Sequence, residues 1–224
     1  MKILALDTAT EACSVAVSVN GQIIERQVMG RQHAERILEL VEALLVEAGL
    51  KPAELDAVAF GRGPGMFTGL RIGAGVTQGI AFAADLPVVP VSTLQVLAQG
   101  QGADRVLAAL DARMGQVYWG GFVRGDDGFM KPVSEERVES PGSIILPDGS
   151  WFGAGSGWDQ YIDELLPRLQ GQVTAWQAQA FPSAADLVRL GERAVAQGLA
   201  VSADLAIPVY VRDDVARKSA APGN

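Results

Sequence analysis

One arrangement occurs twice in the chain. From Lys2 the sequence reads KILALDTA, then CSVAVSV, an Asn20-Gly21 pair and QIIERQV; from Arg105 it reads RVLAALDARMG, then QVYWGGFV, an Asp127-Gly128 pair and FMKPVSEERV. Apolar alternation on both sides of Asn-Gly or Asp-Gly is the strongest short-range hairpin signal, so each stretch predicts three consecutive antiparallel strands. Asp7 and Asp111 close the first strand of each triplet at the same place. A repeated strand, Asp and hairpin is the mark of an internally duplicated fold. The 224 residues divide naturally into two lobes, each of about 100 residues and large enough for its own core. The expected division is an N-terminal lobe over 1–102 and a smaller C-terminal lobe over 103–224, the last helix packing back on the first lobe.

Helical periodicity follows each triplet. Between His33 and Ala48 the residues Ile37, Leu40, Val41, Leu44 and Ala48 share one face, Leu38 and Leu45 widen it, and Gly49 is placed to cap the end. The apolar arc spans roughly 160°, wider than a helix covering only its own core requires. A strand (DAVAFG), a glycine-rich turn, a second helix to about Ala84 and a strand (PVVPV) complete the first half, and the order βββαβαβ predicts a mixed sheet with helices on its faces. The second half continues with a Gly/Pro/Ser loop (SPGSIILPDGS), the glycine-rich WFGAGSGW, a helix near Asp159 to Leu169 and another from Ser183 to about Gln197, bracketed by Pro182 and Gly198. The tail, PVYVRDDVARKSAAPGN, reads as a short strand followed by a fraying mixed-charge segment.

Composition removes several classes of function. A formal charge of −8 opposes direct binding of a polyanion, so any service to RNA calls for a more basic partner. One Cys and one His exclude an internal disulfide and a Cys/His zinc site. No apolar run reaches the roughly 20 residues of a membrane span, and the opening run is too short for a signal-peptide core, so a cytoplasmic protein without membrane contact is expected. Cys13 reads as a buried small apolar residue and His33 as an exposed or capping histidine. Glu135, Glu136 and Glu139 read as a solvated face. The four tryptophans are scattered, which offers no stacking platform for single strands.

The stretch GRGPGMFTGLRIG, residues 61–73, admits two readings. As a phosphate loop it fails the known spacings: G-x-G-x-x-G would need glycine at Met66 or Thr68, and no Gly-Lys-Ser/Thr is present. A helix N-terminus there could still receive an anion. As a packing element it makes sense of Gly69, Gly73, Gly75 and Gly79, each of which costs a helix about 1 kcal/mol relative to Ala. Pairs four apart share a face and admit a close neighbour, either this chain's own sheet or another chain. A third reading takes Asp7, Thr8 and Thr10 with Asp111 and Arg113 as two loops gripping a metal-nucleotide, the basis of an actin-like ATPase or a small-molecule kinase. Ala9 in the first loop and bulky residues in the second weaken it, and a vestigial nucleotide or anion contact fits the residues better.

LALDTATEACSVAV, AVAFGRGPGMFTGLRIGAGVTQGIAFA, PVVPVSTLQVLA, DARMGQVYW and PVYVRDDVA together resemble the bacterial TsaB family, the B subunit for threonylcarbamoyladenosine synthesis on tRNA. The resemblance spans both lobes and is weakly marked only from about Gly125 to Ala180. It implies an α/β, actin-like (ASKHA) fold of two duplicated ribonuclease-H-like lobes. It implies a non-catalytic subunit that scaffolds and activates TsaD, which with the ATPase TsaE transfers a threonylcarbamoyl group to N6 of the adenosine beside the anticodon, in tRNAs reading codons that begin with A. The strand matching PVVPV runs in TsaD into metal-binding histidines, whose places are taken here by Thr93 and Leu97. An old glycoprotease label on the TsaD superfamily therefore finds no ligands here. The resemblance further implies a heterodimer with TsaD through the first two helices, TsaE docking on the pair, tRNA contact only through the complex, and a homodimer through the same surface when TsaD is absent. Candidate contacts are Leu38, Val41 and Leu45 from the first helix and Arg71, Gly75 and Val76 from the second. No cofactor of its own is expected, with weak ATP or ADP contact at a subunit junction left open.

Overall fold

A computed structural model describes residues 1–30 and 32–212. The first triplet forms β1 (Lys2–Asp7), β2 (Ala12–Val19) and β3 (Gln22–Met29), antiparallel to one another. Asn20 and Gly21 both take the left-handed conformation that the tight turn demands. Helix α1 (His33–Ala48) leads to β4 (Ala57–Gly61), then α2 (Phe67–Ala84), β5 (Val88–Val91) and α3 (Thr93–Gln99). The strands β4 and β5 add in parallel beside β1, so the first sheet runs β3-β2-β1-β4-β5.

The second triplet repeats the pattern with one interruption. Strands β6 (Arg105–Asp111) and β7 (Val117–Arg124) pair antiparallel, but the expected third strand divides into β8 (Met130–Pro132) and β9 (Arg137–Glu139), each paired with a different part of β7. No counterpart of α1 follows. The chain then makes β10 (Trp151–Ala154), α4 (Ser156–Gln160), α5 (Ile162–Arg168), β11 (Val173–Gln177) and α6 (Ala184–Ala196). The second sheet runs β8-β7-β6-β10-β11. Its order matches that of the first sheet element for element, the arrangement of two ribonuclease-H-like lobes in an actin-like fold.

Several expectations change. The single helix from Asp159 to Leu169 is broken at Tyr161, where φ of −128° ends α4 and a new helix begins. The segment VTAWQ is a strand that the sequence reading missed; four of its five residues are exposed, so no alternation marks it. PVYV is not a strand, and the tail beyond 212 lies outside the described residues. Glu136 does not belong to a solvated face. The bend between β8 and β9 carries it to the first lobe, where it accepts from Arg62 at 3.4 Å and from the Ser92 hydroxyl.

Alternating residues of the first sheet serve two cores. Leu4, Leu6, Val15, Val58 and Phe60 face α1 and α2, while Ile3, Ala5, Ala57 and Ala59 face α6. Helix α6 thus packs on the sheet of the N-terminal half, and Gly191 permits it, because a Cβ there would lie 2.9 Å from that of Ala59. Helix α3 does the converse: Leu94, Leu97 and Ala98 join Val106, Ala108, Leu110 and Phe122 of the second sheet. On that sheet's other face Trp151 and Trp158 are buried with Leu107, Ala109 and Leu165.

Six of the seven glycines of residues 61–79 separate into two sets, and Gly63 lies apart, against Val209. A Cβ built on Gly61, Gly65, Gly69 or Gly73 would run into the Asp7 carboxylate, the Ala9 carbonyl, the Thr8 carbonyl and the Thr8 hydroxyl, respectively. Spaced four apart, they give β4 and the start of α2 direct approach to the turn after β1. A Cβ on Gly75 or Gly79 would meet nothing within 4 Å among the described residues outside its own helix. Gly69→Ala is therefore expected to destabilise the protein by about 1–3 kcal/mol through overpacking. Gly79→Ala should stabilise it by about 0.5–1 kcal/mol through helix propensity. Urea denaturation of both variants measures the opposite signs.

Candidate functional site

Two features of the surface are candidates, the cleft between the lobes and the outer face of α1 and α2. The cleft encloses about 720 Å³, a size that suits a small molecule. Thr10 and Glu11 enter it from the β1–β2 turn, Asp111 and Arg113 from the β6–β7 turn, Phe67 from α2, and Tyr210 and Arg212 from the tail.

Of the residues expected to grip a nucleotide, Asp7 and Thr8 do not line this cleft. Asp7 is 1% exposed, accepts from the Ala9 N–H at 2.9 Å, and lies 3.4 Å from the Thr93 hydroxyl. The Thr8 hydroxyl donates to the Gly69 carbonyl at 2.7 Å, so it is spent on holding α2. Asp7 and Thr8 are sealed off because the four glycines bring β4 and α2 down onto this part of the turn. Thr10 is buried at the cleft edge, its hydroxyl accepting from the Ala12 N–H. Asp111 is turned to its own surroundings: it pairs with Arg113 at 2.8 Å and accepts from the Tyr161 hydroxyl at 3.0 Å. Arg113 also reaches Glu11 across the cleft at 3.6 Å. At the N-terminus of α2 the Met66 N–H is taken by the Ala9 carbonyl at 2.7 Å, which leaves one donor fewer for an anion.

His33 is neither exposed nor a cap. It is buried at the start of α1, its Nε2 donates to the Thr10 carbonyl at 2.7 Å, and its Nδ1 has no hydrogen-bond partner among the described residues. Cys13 is buried in β2, where desolvation first and the Asp7 charge second push its thiol up to about 11, so it is inert at neutral pH. Among the described residues no three His, Cys, Asp or Glu side chains gather into a set that could hold a metal ion, and no helix is long and apolar enough to cross a membrane.

Burial raises the Asp7 carboxyl to about 6 from 3.8, with the hydrogen bonds from Ala9 and Thr93 opposing the shift. The folded state therefore holds this proton more tightly than the unfolded chain. Its contribution to stability is fully present below the unfolded value and is lost as pH rises through about 6.

On the outer face, the proposed contact residues divide by burial. Leu38 is 58% exposed, Arg71 and Gly75 are exposed and Val76 is half-buried. Val41 and Leu45 are 6% exposed and belong to the chain's own core, because that side of α1 is turned inward to the sheet. Their places on the surface are taken by residues the sequence reading passed over: Val46 is 74% exposed and Phe82 63%. Phe82 follows Gly75 and Gly79 at helical spacing, and this could have found it. The helices α1 and α2 touch. Arg71 lies over the Phe67 ring at 3.6 Å and donates to the Tyr210 hydroxyl at 3.2 Å.

Comparison with known proteins places this geometry. A family model described as TsaD, tRNA N6-adenosine threonylcarbamoyltransferase, matches residues 19–155. The chain is 41% identical to the tRNA threonylcarbamoyladenosine biosynthesis protein TsaB of Escherichia coli, over 97% of each chain. It is 38% identical to the protein of that name from Haemophilus influenzae, over 97% of this chain and 96% of the relative. The solved structure of YeaZ from Pseudomonas aeruginosa superposes with a TM-score of 0.87 at 45% identity, covering 93% of this chain and 99% of the other.

Asp7→Asn, which keeps an acceptor for the Ala9 N–H, is expected to be more stable than the parent protein at pH 7 by on the order of 3 kcal/mol. The two should converge below about pH 4. Thermal midpoints of both proteins across this range measure the difference.

Proposed function

Since the chain belongs to the TsaB family of tRNA threonylcarbamoyladenosine biosynthesis proteins, we propose that it is a non-catalytic subunit that holds TsaD in its working state for threonylcarbamoyl transfer to tRNA. The observation that carries this reading is the outer face of α1 and α2. Leu38 and Val46 of α1 and Phe82 of α2 stand exposed, and Gly75 and Gly79 lie open on α2, where no contact among the described residues offsets their lost helix propensity. Glycine on an open helix face lets another backbone come close, and the apolar residues around it gain from being covered. TsaD is the occupant named by the resemblance, and a second copy of this chain covers the same face when TsaD is absent. TsaE docks on the TsaB–TsaD pair, and tRNA is reached through the complex, in keeping with the charge of −8. The place of work is the cytoplasm.

The alternative, an actin-like ATPase or small-molecule kinase, needs Asp7 and Asp111 to face one bound nucleotide. Asp7 is sealed under α2 and Asp111 is engaged by Arg113 and Tyr161. Those engagements favour the scaffold reading.

Gly79→Gln separates stability from docking. A glutamine there is expected to stabilise the lone chain by about 0.5–1 kcal/mol, while its bulk holds a partner helix away and weakens TsaD capture by about tenfold or more. Phe82→Glu should weaken capture comparably without disturbing the core. Coexpression with TsaD and TsaE, followed by size exclusion and tRNA nucleoside analysis, measures assembly and activity. Undiminished capture and modification with both variants would overturn the proposal.

A further inference from the structure

The end of the described chain joins the two lobes by a route that neither sheet provides. After the bridge between Val88 and Val201, the chain follows α2, where the Gln78 side chain donates to the Ala206 carbonyl at 3.2 Å. The Val209 N–H then donates to the Arg62 carbonyl at 2.8 Å, and Gly63 makes room, since a Cβ there would be 2.9 Å from the Val209 carbonyl. Tyr210 sets its ring against Phe67, 5.5 Å between centroids, and its hydroxyl accepts from Arg71. Two residues later the contacts belong to the other lobe. Arg212 donates to the Ala112 carbonyl at 3.1 Å and to the Gln116 side-chain oxygen at 2.7 Å.

The β6–β7 turn that Arg212 holds is strained. Arg113 and Met114, neither of them glycine, both take the left-handed conformation, at φ of 62° and 58°. Such a turn persists when something outside it fixes its ends. Arg212 bonds to Ala112 and Gln116, the residues on either side of the strained pair, and those two are themselves joined by the Ala112 N–H to the Gln116 carbonyl at 3.0 Å.

We propose that residues 207–212 are a clasp that locks the β6–β7 turn of the second lobe to the N-terminal end of α2 in the first, so that displacing Tyr210 from α2 and loosening that turn are one event. The clasp forms a wall of the interlobe cleft that belongs to both lobes. It also runs to the end of α2, so a body that moves Tyr210, Phe67 or Arg71 is felt in the cleft. The device needs no ligand and no partner to exist; it shares Arg71 with the outer face of α2 but does not require that face to be a docking site.

Hydrogen exchange on the full chain tests it, with Tyr210→Ala and Arg212→Ala compared with the parent. Arg212→Ala removes the hold directly and should speed exchange at the Ala112 and Gln116 amides by roughly fivefold. The telling variant is Tyr210→Ala, whose ring and hydroxyl meet Phe67 and Arg71 of α2: the same two amides should speed up by a comparable factor while β1 exchanges as in the parent. If Tyr210→Ala leaves the turn at the parent rate, or if β1 and the turn speed up equally, residues 207–212 are not a clasp.

Discussion

Backbone meets backbone where β4 and α2 pass the turn between β1 and β2, and the first lobe is arranged around that contact. Thr8 and Ala9 present carbonyls to α2 and the loop before it, and a methyl group at Gly65 or Gly69 would occupy the space of those oxygens. The approach lets the Thr8 hydroxyl bond the Gly69 carbonyl and lets the Ala9 carbonyl take the Met66 N–H. It also buries Asp7, and that loss of solvation raises its carboxyl to about 6. The start of the turn, Asp7 and Thr8, becomes part of the interior, while Thr10 and Glu11 still line the cleft.

The two lobes share an order of strands, yet their corresponding turns have different fates. The turn after β1 is roofed by α2. Among the described residues the turn after β6 has no such roof; its Asp111 is tied to Arg113 and Tyr161, and its backbone is held by Arg212 from the tail. The lobes are also joined by exchange of helices, α3 packing with the second sheet and α6 on the first. Glu136, brought over by the break between β8 and β9, adds a polar tie to Arg62 and Ser92.

Much of this was legible because short-range signals agreed with the long-range fold. Asn20-Gly21 marks its turn, Gly49 takes the left-handed cap of α1, and Ser183 caps α6 through the Ala185 N–H. The misreadings occur where a local pattern had a tertiary cause. Tyr161 breaks a helical run and bonds Asp111. Glu136 looks like one of several solvated acids until the chain bends it into the other lobe. PVYV has the composition of a strand, but its path across the lobes offers it one backbone bond, from Val209 to Arg62. Val41 and Leu45 fall within the apolar arc of α1 as Leu38 does, and periodicity alone could not say which edge of so wide an arc faces outward.

The sequence by itself determined the duplication, the strand triplets and the spacing of glycines in α2, because periodicity, turn residues and glycine positions are properties of neighbours along the chain. Only the tertiary structure decided which glycines meet this chain and which remain open: Gly69 and Gly73 press on Thr8, while Gly75 and Gly79, in the same helix at the same spacing, press on nothing. The physical reason is that a helix turns about 100° per residue. The two pairs therefore lie on different sides of one cylinder, and which side meets the sheet is fixed by the packing of strands distant in sequence.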